Sequence, residues 1–415
     1  MSASRELRPS RTLWFIDLDH ESGMRHGGNL RWFNLSRQLL AAGHEVYFAI
    51  NTTPAGDLPA RVAYLESLER SGHISGHFVV RCEYPQRRVH LARFVSSYPP
   101  VLNCLLHAAQ RSCAAAVRAL VTRMDIDRVV ISDRTYLFLS MYLLDRVALV
   151  VDWIDSFALY YRRSAAVHLR ARRFRAAMSA LVNLCAYSLQ ERYYARRVDA
   201  NLVVSPVDKA CLDRIAGSSA RTHVLLNGML PAPPVTAASK IPNRLVFTGN
   251  MNFPPNYEGA LWFIDEVLPR IRARQPRITF VVAGRNPIPA LLQRRSESVL
   301  VLGAVEDLWA EIAKSALFVA PLISGGGFKN KILEAIAAGT FVAAISTAVE
   351  ALPDTIRRSL LVGDSPDLLS EQILTFLANP GRFESALPGL LGVLSEEFSW
   401  RNRAAQFLAL SSGRG

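Results

Sequence analysis

The most restrictive local pattern in this sequence of 415 residues is a short apolar run followed almost directly by three glycines. Residues 317–322 have the length of a buried strand, and Pro321 near their end predicts that strand pairing stops there. The glycines at 325–327 allow positive φ angles and a close approach of the backbone to a ligand. From Phe328 the apolar spacing becomes helical, and Gly339 marks the helix end. The stretch therefore predicts a strand, a glycine turn and a helix in succession.

The start of this predicted helix has the features of an anion site. Its N-terminal N–H groups have no partner within the helix and would face whatever lies over the turn. Lys329 and Lys331 add positive charge in the first turn, where the helix macrodipole disfavours lysine unless an anion is bound. Glu334 follows Lys331 by three residues on the same face. The pattern favours an anion site over the alternative, a tight turn with two solvated lysines.

The stretch resembles the donor-nucleotide loop of GT-B glycosyltransferases of family 4, whose Glu-x7-Glu signature ends in a Leu-Glu-Ala helix. The sequence Leu-Glu-Ala at 333–335 matches the second half of this signature. The resemblance implies that Glu334 holds the ribose hydroxyls of a nucleotide and that Lys331 holds its diphosphate. The first glutamate would fall at Gly326, and a subset of the family shares this glycine-rich substitution. The departure concerns how the hydroxyls of the donor sugar are held.

Length and composition limit the class of protein. A chain of 415 residues exceeds one ordinary core and predicts two domains, and 50% hydrophobic with 20% charged residues is typical of globular proteins. The net charge of +13 predicts an anionic partner, which could be a nucleotide, a nucleic acid or an acidic lipid surface. The five cysteines are scattered without a CxxC pair, so neither a metal site nor a disulfide framework is predicted, and a reducing compartment fits.

No targeting or membrane-spanning segment is predicted. The N-terminus is basic, but the apolar run after it ends at Asp17, which is too short for the core of a signal peptide. The longest apolar region, 136–151, is interrupted by Asp145 and Arg146. We therefore expect a cytoplasmic protein in which any membrane contact is peripheral.

The first part of the chain predicts a parallel sheet. A strand at 12–19, a glycine-containing loop, a helix at 29–42 and a strand at 44–51 form a βαβ unit. The loop lacks both a GxGxxG fingerprint and the Lys-Ser/Thr of a P-loop. Gly27 and Gly28 resemble the Gly-Gly loop of family 4, which implies that they face the donor diphosphate across the cleft and border the acceptor. Alternatively, the two glycines only permit the turn.

Polar residues follow two later strands, at 128–133 and 147–153, and are candidates to contact an acceptor. They are Asp133 at the end of the first, Asp152 at the end of the second, and Asp155 just after it. Ligands bind at the carboxyl ends of parallel strands. The Asp-x-x-Asp-Ser pattern is similar to an Asp-x-Asp-Ser stretch in exopolysaccharide-type family 4 sequences. For Asp152 and Asp155, N-capping of the next helix is an equal alternative, with Asp155 or the serine after it as the cap.

The helical segment from Arg162 to Arg197 carries nine arginines and one acid, Glu191, with tyrosines interleaved. Arginine with interfacial aromatics suits an anionic membrane leaflet, where each cation contributes about 1 kcal/mol. Nucleic acid would also fit the charge, but no nucleic-acid motif accompanies it, so no such partner is predicted. We favour a membrane contact over a solvated helix pair, because the resemblance implies a lipid-linked acceptor.

The second part of the chain restarts the alternation after a linker. Residues 231–242 are rich in proline and alanine without periodicity. We therefore divide the chain into an N-terminal Rossmann-like acceptor domain (1–230), this linker, a C-terminal Rossmann-like donor domain (243–396) and a terminal segment (397–415). The terminal segment resembles the family helix that crosses back onto the first domain.

Residues 244–256 strongly resemble one branch of family 4, in which Phe-Thr-Gly-x-Met precedes Pro-Asn and a helix. Many family members place an arginine and a lysine after this glycine, where this chain has Asn250 and Met251, so Lys331 must carry more of the charge. Arg285, at a strand end, is positioned to help or is a surface arginine. Glu350 matches a family position near the nucleotide. The residues assigned to donor binding are Gly249, Arg285, Gly326, Gly327, Phe328, Lys329, Lys331, Glu334 and Glu350.

The combined prediction is an α/β protein of GT-B fold, with two doubly wound Rossmann-like domains facing a cleft, that acts as a retaining glycosyltransferase. The donor would be a nucleotide-diphosphate sugar and the acceptor a glycan or lipid-linked molecule of bacterial surface polysaccharide synthesis. Gly27, Gly28 and Lys331 are assigned the catalytic role of stabilising the departing diphosphate, without a metal or other cofactor. Two alternatives remain: a sugar-nucleotide epimerase, which needs a protein acid–base pair, and a non-catalytic member of the fold that binds nucleotide or acts as a membrane scaffold.

Overall fold

The computed structural model of the chain describes residues 9–18, 27–52, 57–81, 107–143, 147–217, 219–229 and 240–411. Most of the predicted linker and the loop at 20–26 lie outside these residues. The chain separates into two compact units, each built around one parallel sheet, so the predicted α/β fold with two Rossmann-like domains is confirmed. Unit 1 comprises Met1–Leu159, Leu181–Gly228 and Trp400–Gly415, and unit 2 comprises Tyr160–Ala180 and Met229–Ser399. Residues 160–180, which the sequence places in the first domain, thus belong to unit 2.

Unit 1 contains seven parallel strands in the order β3-β2-β1-β4-β5-β6-β7. They are β1 (Arg11–Phe15), β2 (Glu45–Asn51), β3 (Gly76–Val80), β4 (Arg128–Ile131), β5 (Ala148–Ile154), β6 (Ala200–Val203) and β7 (Thr222–Val224). Leu13 and Phe15 pack in one core cluster, while Trp14 and Ile16 pack in another. Because both faces are buried, the strands are nearly continuous apolar runs. The strand order changes direction between β1 and β4, where a parallel sheet opens a ligand-binding crevice.

Unit 2 contains six parallel strands in the order β10-β9-β8-β11-β12-β13. They are β8 (Ile241–Thr248), β9 (Thr279–Ala283), β10 (Val299–Gly303), β11 (Ser315–Ala320), β12 (Phe341–Ala344) and β13 (Leu361–Val362). The strand order changes direction between β8 and β11. The loops that follow these two strands therefore meet at the ligand-binding edge of the sheet.

Helices connect and cover the strands. Those of the described residues are, in chain order, α1 (Gly27–Ala41), α2 (Leu58–Arg70), α3 (His107–Arg123), α4 (Phe157–Arg170), α5 (Phe174–Ala195), α6 (Pro206–Ala216), α7 (Pro254–Trp262), α8 (Leu268–Arg274), α9 (Pro289–Leu292), α10 (Leu308–Ala313), α11 (Asn330–Ala337), α12 (Ser346–Val349), α13 (Asp354–Arg357), α14 (Pro366–Ala378), α15 (Pro380–Glu384), α16 (Leu387–Glu397) and α17 (Trp400–Ser411). A 3-10 helix spans Arg134–Met141, and a π-helical turn, Phe263–Val267, joins α7 to α8. Among the described residues, none of these helices is long and apolar enough to traverse a bilayer.

Local signals in the sequence place several element ends within two residues. Strand β11 ends at Ala320, directly before Pro321, as predicted. The helix predicted from Phe328 begins at Asn330. The predicted boundary at Gly27 and Gly28 is corrected, because these glycines form the first turn of α1 and are not a loop before it. The terminal helix α17 belongs to unit 1, where Phe407 stacks on Trp14 with ring centroids 5.4 Å apart.

Candidate functional site

A glycine-rich loop between β11 and α11 forms the centre of the candidate site in unit 2. Ser324 begins this loop, and its hydroxyl donates to the Oε2 atom of Glu258 in α7 at 2.9 Å. Gly325 has a φ of +98°, and an added Cβ there would lie 3.1 Å from the ring of Pro255. The start of α7 therefore holds the loop, and the helix that follows begins at Asn330 with its positive end toward it.

Lys331 is the most perturbed cation of the site. It lies in the first turn of α11, half-buried, and its Nζ donates to Oδ1 of Asn256 at 2.7 Å. The same Nζ lies 4.6 Å from the ring centroid of Phe247. Burial first, and then the nearby Lys329, lower the pKa of Lys331 to about 7, against the opposing charge of Glu334. An ammonium held this way gains from any anion that enters the site.

Asn256 and Gly249 fix the position of this ammonium. The Nδ2 of Asn256 donates to the carbonyl of Asn250 at 2.9 Å, which turns Oδ1 toward Lys331. Gly249 follows β8, and a Cβ at this position would lie 2.9 Å from the Nζ of Lys331 and 2.7 Å from Nδ2 of Asn256. Only glycine leaves room for both groups. Asn256 was not predicted as a site residue, although it belongs to the Pro-Asn pair on which the family resemblance rests.

The second lysine, Lys329, serves the loop itself. It occupies the N-cap position of α11, and its side chain donates to the carbonyl of Gly326. The backbone carbonyl of Lys329 accepts from the N–H of Ile332 at 3.0 Å. Lys329 thus closes the loop over Gly326 and Gly327 and still contributes positive charge at the helix start.

Glu334 lies one helical turn after Lys331 in α11. Burial raises the pKa of this carboxyl, and the charge of Lys331 counteracts the shift. The two glutamates assigned to donor binding differ in their partners, because Glu334 has a cation one turn away, whereas Glu350 is paired directly with an arginine.

Phe328, also assigned to donor binding, packs near Phe398, with the two ring centroids 5.8 Å apart.

Glu350 forms a bidentate ion pair with Arg163 of α4. The Nη1–Oε1 distance is 2.5 Å and the Nη2–Oε2 distance is 2.7 Å. The Nη1 of Arg163 also donates to the carbonyl of Gly325 at 2.8 Å. Both residues lie in unit 2. This arginine was assigned to the membrane-binding segment from the sequence, and the structure places it instead against the glycine loop.

Arg285 lies at the same sheet edge, after Gly284 at the end of β9. Its backbone carbonyl accepts from the N–H of Met251 at 2.8 Å, and its side chain is half-buried. A Cβ on Gly284 would lie 1.7 Å from the carbonyl oxygen of Gly249, so the loops after β8 and β9 touch backbone to backbone. The sequence-assigned donor residues of unit 2 thus occupy connected loops and one helix start.

The residues assigned to unit 1 have different surroundings. Gly27 and Gly28 form the N-terminal turn of α1, which follows β1 at the change in strand order. Asp133 follows β4 and caps the 3-10 helix, since its Oδ1 accepts from the N–H of Thr135 at 2.9 Å and from its hydroxyl at 2.7 Å. Asp133 therefore lies at the expected edge, with one carboxylate oxygen engaged in capping.

Asp152 has a structural role that the sequence did not predict. Both of its oxygens accept from Arg31, at 2.8 and 3.0 Å, and both side chains are buried. Arg31 also donates to the carbonyl of Leu225 and to Oδ1 of Asn227, each at 2.9 Å. This engagement corrects both readings of Asp152, because a fully paired buried carboxylate is neither a helix cap nor accessible to an acceptor.

The helix cap after β5 is Ser156, since its Oγ accepts from the N–H of Leu159 at 3.2 Å. The backbone carbonyl of Asp155 accepts from Nη2 of Arg134 at 2.7 Å. Ser156 also donates to the buried carboxylate of Glu191, which accepts from the N–H of Phe157 as well. Of the two caps considered from the sequence, the structure selects the serine.

Among the described residues, no group of three or more His, Cys, Asp or Glu side chains is arranged to hold a metal ion. The unit 2 residues can supply electrostatic stabilisation, through an ammonium of lowered pKa, a second lysine and a helix N-terminus at one sheet edge. This arrangement suits an anionic ligand.

Comparison with known proteins finds a matching sequence family and similar folds. A family described as glycosyl transferases group 1 matches residues 242–379, which lie in unit 2. An Anabaena protein, Alr3699/HepE, solved in complex with UDP, superposes with a TM-score of 0.66 at 14% identity, over 96% of this chain and 98% of that one. A glycosyltransferase from Rickettsia africae gives a TM-score of 0.65 at 13% identity, over 98% of each chain.

A curated relative, an uncharacterized 44.6 kDa protein in the cps region of Klebsiella pneumoniae, is 24% identical over 145 residues. The match covers 33% of this chain and 37% of the relative, so it spans just over a third of that protein. The resemblance to glycosyltransferases predicted from the sequence is confirmed for residues 242–379 by their match to the group 1 glycosyl transferases, and the two-domain GT-B fold is confirmed by the structural superpositions.

Proposed function

We propose that this protein, whose residues 242–379 match the group 1 glycosyl transferases, transfers a sugar from a nucleotide-diphosphate sugar to an acceptor. The observation that carries the proposal is Lys331, a half-buried ammonium with a pKa of about 7 at a helix N-terminus beside a glycine loop. A cation with lowered pKa, held by an uncharged amide and not by a carboxylate, is suited to binding a diphosphate.

Lys331 and the start of α11 would bind the diphosphate and stabilise its leaving-group charge. When the bond between the sugar and the diphosphate breaks, negative charge grows on the diphosphate, and donors already aimed at it lower the barrier. Asn256 keeps the Nζ of Lys331 in place through the 2.7 Å bond, so little reorganisation is needed. We assign Gly27 and Gly28 the same role through their backbone N–H groups at the start of α1.

The other donor contacts follow from the loop geometry. Glu334 would accept from the ribose hydroxyls, a role that keeps its carboxyl ionised when the nucleotide is bound. Gly326, Gly327 and Phe328 would line the diphosphate, with Arg285 at the neighbouring loop. Because HepE was solved in complexes with UDP and with UDP-glucose, a uridine nucleotide is the first donor class to test.

We further propose retention of the anomeric configuration, metal-independent hexosyl transfer, and a glycan or lipid-linked acceptor. The cps-region relative makes surface polysaccharide synthesis the leading context. Among the acceptor candidates, Asp133 keeps its position at the edge of the unit 1 sheet, and Asp155 adjoins it through Arg134. We place the transfer reaction in the cytoplasm, at the membrane surface that holds a lipid-linked acceptor.

The experiment is release of UDP from UDP-glucose, with and without acceptor extract, by the full chain and by Lys331→Ala. Lys209→Ala, an exposed lysine paired with Asp213, is the matched control for loss of one positive charge. We expect turnover to fall at least 100-fold in Lys331→Ala and to stay unchanged in the control. Equal background turnover in both variants would favour the non-catalytic alternative, and epimerised UDP-sugar without UDP release would favour the epimerase.

A further inference from the structure

Helix α5 carries a stripe of exposed apolar side chains along one face. Five of them are between 37% and 69% exposed, and the sixth, a cysteine, is also exposed. The stripe consists of Phe174, Met178, Leu181, Val182, Cys185 and Leu189. At 100° per residue these spacings place all six side chains within an arc of about 100°. Because all six belong to one helix, the helix itself fixes their common face.

Most of the remaining surface of α5 is buried or half-buried. It presents Ala177, Ala186, Gln190 and Tyr194, each less than a tenth exposed. The helix is therefore anchored by one side, and its other side offers an apolar surface over most of its 22 residues. Contiguous exposed apolar surface on a folded chain indicates a site of interaction with another surface.

Arginines surround the N-terminal end of this stripe. A tight turn connects α4 to α5, and Arg172 within it has a φ of +55°. Arg170, Arg172, Arg173 and Arg175 are all exposed at this turn, and Arg192 is exposed beyond the other end of the stripe. The only acid between residues 157 and 197, Glu191, is buried and accepts from Ser156 and Phe157.

Only part of the segment predicted to bind a membrane, Arg162 to Arg197, presents its arginines to solvent. Arg163 is paired with Glu350, and Arg196 donates to the carbonyl of Ala216. Arg197 lies 3.7 Å over the ring of Tyr193 and is directed at its own helix. The exposed arginines of the segment are thus mainly those of the α4–α5 turn, beside the apolar stripe, with Arg162 in α4 and Arg192 beyond the other end of the stripe.

We propose that the α5 stripe and the arginines of the α4–α5 turn bind the surface of an anionic phospholipid bilayer. The apolar side chains would enter the boundary between headgroups and acyl chains, with α5 lying in the plane of the interface and the arginines against lipid phosphates. Bilayer binding would bring the enzyme to a lipid-linked acceptor, and this purpose rests on the proposed function. The binding itself does not depend on that function.

The exposed arginines at both ends of the α5 stripe favour an anionic lipid surface, and not a second copy of this chain, as its partner. An antiparallel pair of α5 stripes would bring Arg173 and Arg175 of one copy close to Arg192 of the other. The stripe and its borders carry no exposed acid that could compensate this repulsion. An anionic leaflet instead supplies the opposite charge along the whole stripe.

The test is co-sedimentation of the full chain with large vesicles of phosphatidylcholine containing 30% phosphatidylglycerol, or of phosphatidylcholine alone. We expect binding to the acidic vesicles that weakens between 0.1 and 0.5 M salt. Met178→Asp with Val182→Asp should lower the partition coefficient more than tenfold. Arg170→Gln with Arg175→Gln should lower it about fivefold per charge removed. Leu368→Asp, which alters an equally exposed leucine of α14, should leave it unchanged.

Two results would overturn the proposal. One is equal binding of the wild type and the Met178/Val182 double variant to acidic vesicles. The other is a wild type that ignores vesicles but forms a dimer in light scattering that the double variant loses, which would assign the stripe to a second copy. UDP binding by the same double variant separates this question from the donor site, since a fully folded variant should retain it.

Discussion

Arg163 and Glu350 meet in a bidentate ion pair, and the same guanidinium donates to the backbone carbonyl of Gly325 at 2.8 Å. The pair joins α4 to the segment after α12, and Arg163 holds the glycine loop through the carbonyl of Gly325. A basic residue that composition alone assigns to a surface thereby becomes a positioning residue for the candidate donor site. The two side chains keep about a fifth of their surface exposed, so the loop is supported at its solvent edge.

The geometry of this pair predicts that lysine cannot replace Arg163. A planar guanidinium satisfies both carboxylate oxygens and a carbonyl at once, and an ammonium cannot reproduce that arrangement. We expect Arg163→Lys and Arg163→Ala each to weaken UDP binding about tenfold, measured by isothermal titration calorimetry. Arg162→Ala removes an exposed neighbouring arginine and should leave the affinity unchanged. Equal affinities in all variants would show that the loop does not depend on Arg163.

A second prediction concerns Gly249. A methyl group at this position would lie 2.9 Å from the Nζ of Lys331 and 2.7 Å from Nδ2 of Asn256, so Gly249→Ala must displace the ammonium. We expect UDP affinity to fall at least tenfold while the far-ultraviolet circular dichroism spectrum stays that of the wild type. Gly392→Ala in α16, where a Cβ meets no atom within 4 Å, is the control and should bind normally. Normal UDP binding by Gly249→Ala would contradict the proposed position of the diphosphate.

The lowered pKa of Lys331 predicts pH-dependent donor binding. Below pH 7 the ammonium is charged before the ligand arrives, whereas above pH 7 binding an anion must first take up a proton. The dissociation constant of UDP-glucose should therefore rise about tenfold per pH unit above pH 7, with matching proton uptake in calorimetry. Lys331→Arg, which stays charged throughout, should remove this dependence. A constant affinity from pH 6 to 9 in the wild type would exclude the mechanism.

A fourth prediction separates structural from functional carboxylates. Asp152 pairs with Arg31 in the interior of unit 1, so Asp152→Ala leaves an uncompensated buried guanidinium and should cost about 3–5 kcal/mol of unfolding free energy. Lys209→Ala breaks an exposed ion pair and should cost less than about 1 kcal/mol. Urea unfolding followed by circular dichroism measures both. A cost for Asp152→Ala as small as that of the control would return this residue to the acceptor candidates.

The sequence predicted the parts of this molecule that depend on short-range patterns. The apolar run of β11 and the glycine loop after it follow from local spacing, and the structure confirms them. The strand predicted at 12–19 is also present as β1, but it ends at Phe15. Gly27 and Gly28 were placed just before a helix that they in fact begin, because a glycine pair is compatible with either position.

Long-range pairings account for what the sequence could not predict. Arg163 and Glu350 are 187 residues apart, and Arg31 and Asp152 are 121 apart, so no local pattern connects them. Asn256 reaches Lys331 across 75 residues in the same way. The apolar stripe of α5 was detectable from its spacing, but the nine arginines between residues 162 and 197 led the sequence-based prediction to rest on charge and the interleaved tyrosines.

Equilibrium binding of UDP at pH 7 by the wild type, Lys331→Ala and Lys209→Ala tests the central claim most directly. If a diphosphate binds where the glycine loop passes into α11, the wild type binds UDP and Lys331→Ala binds it about 10- to 100-fold more weakly, since a hydrogen bond to a charged group contributes about 1.5–3 kcal/mol. Lys209→Ala should match the wild type. A wild type that does not bind UDP or other nucleoside diphosphates, or a Lys331→Ala variant with unchanged affinity, would contradict the account.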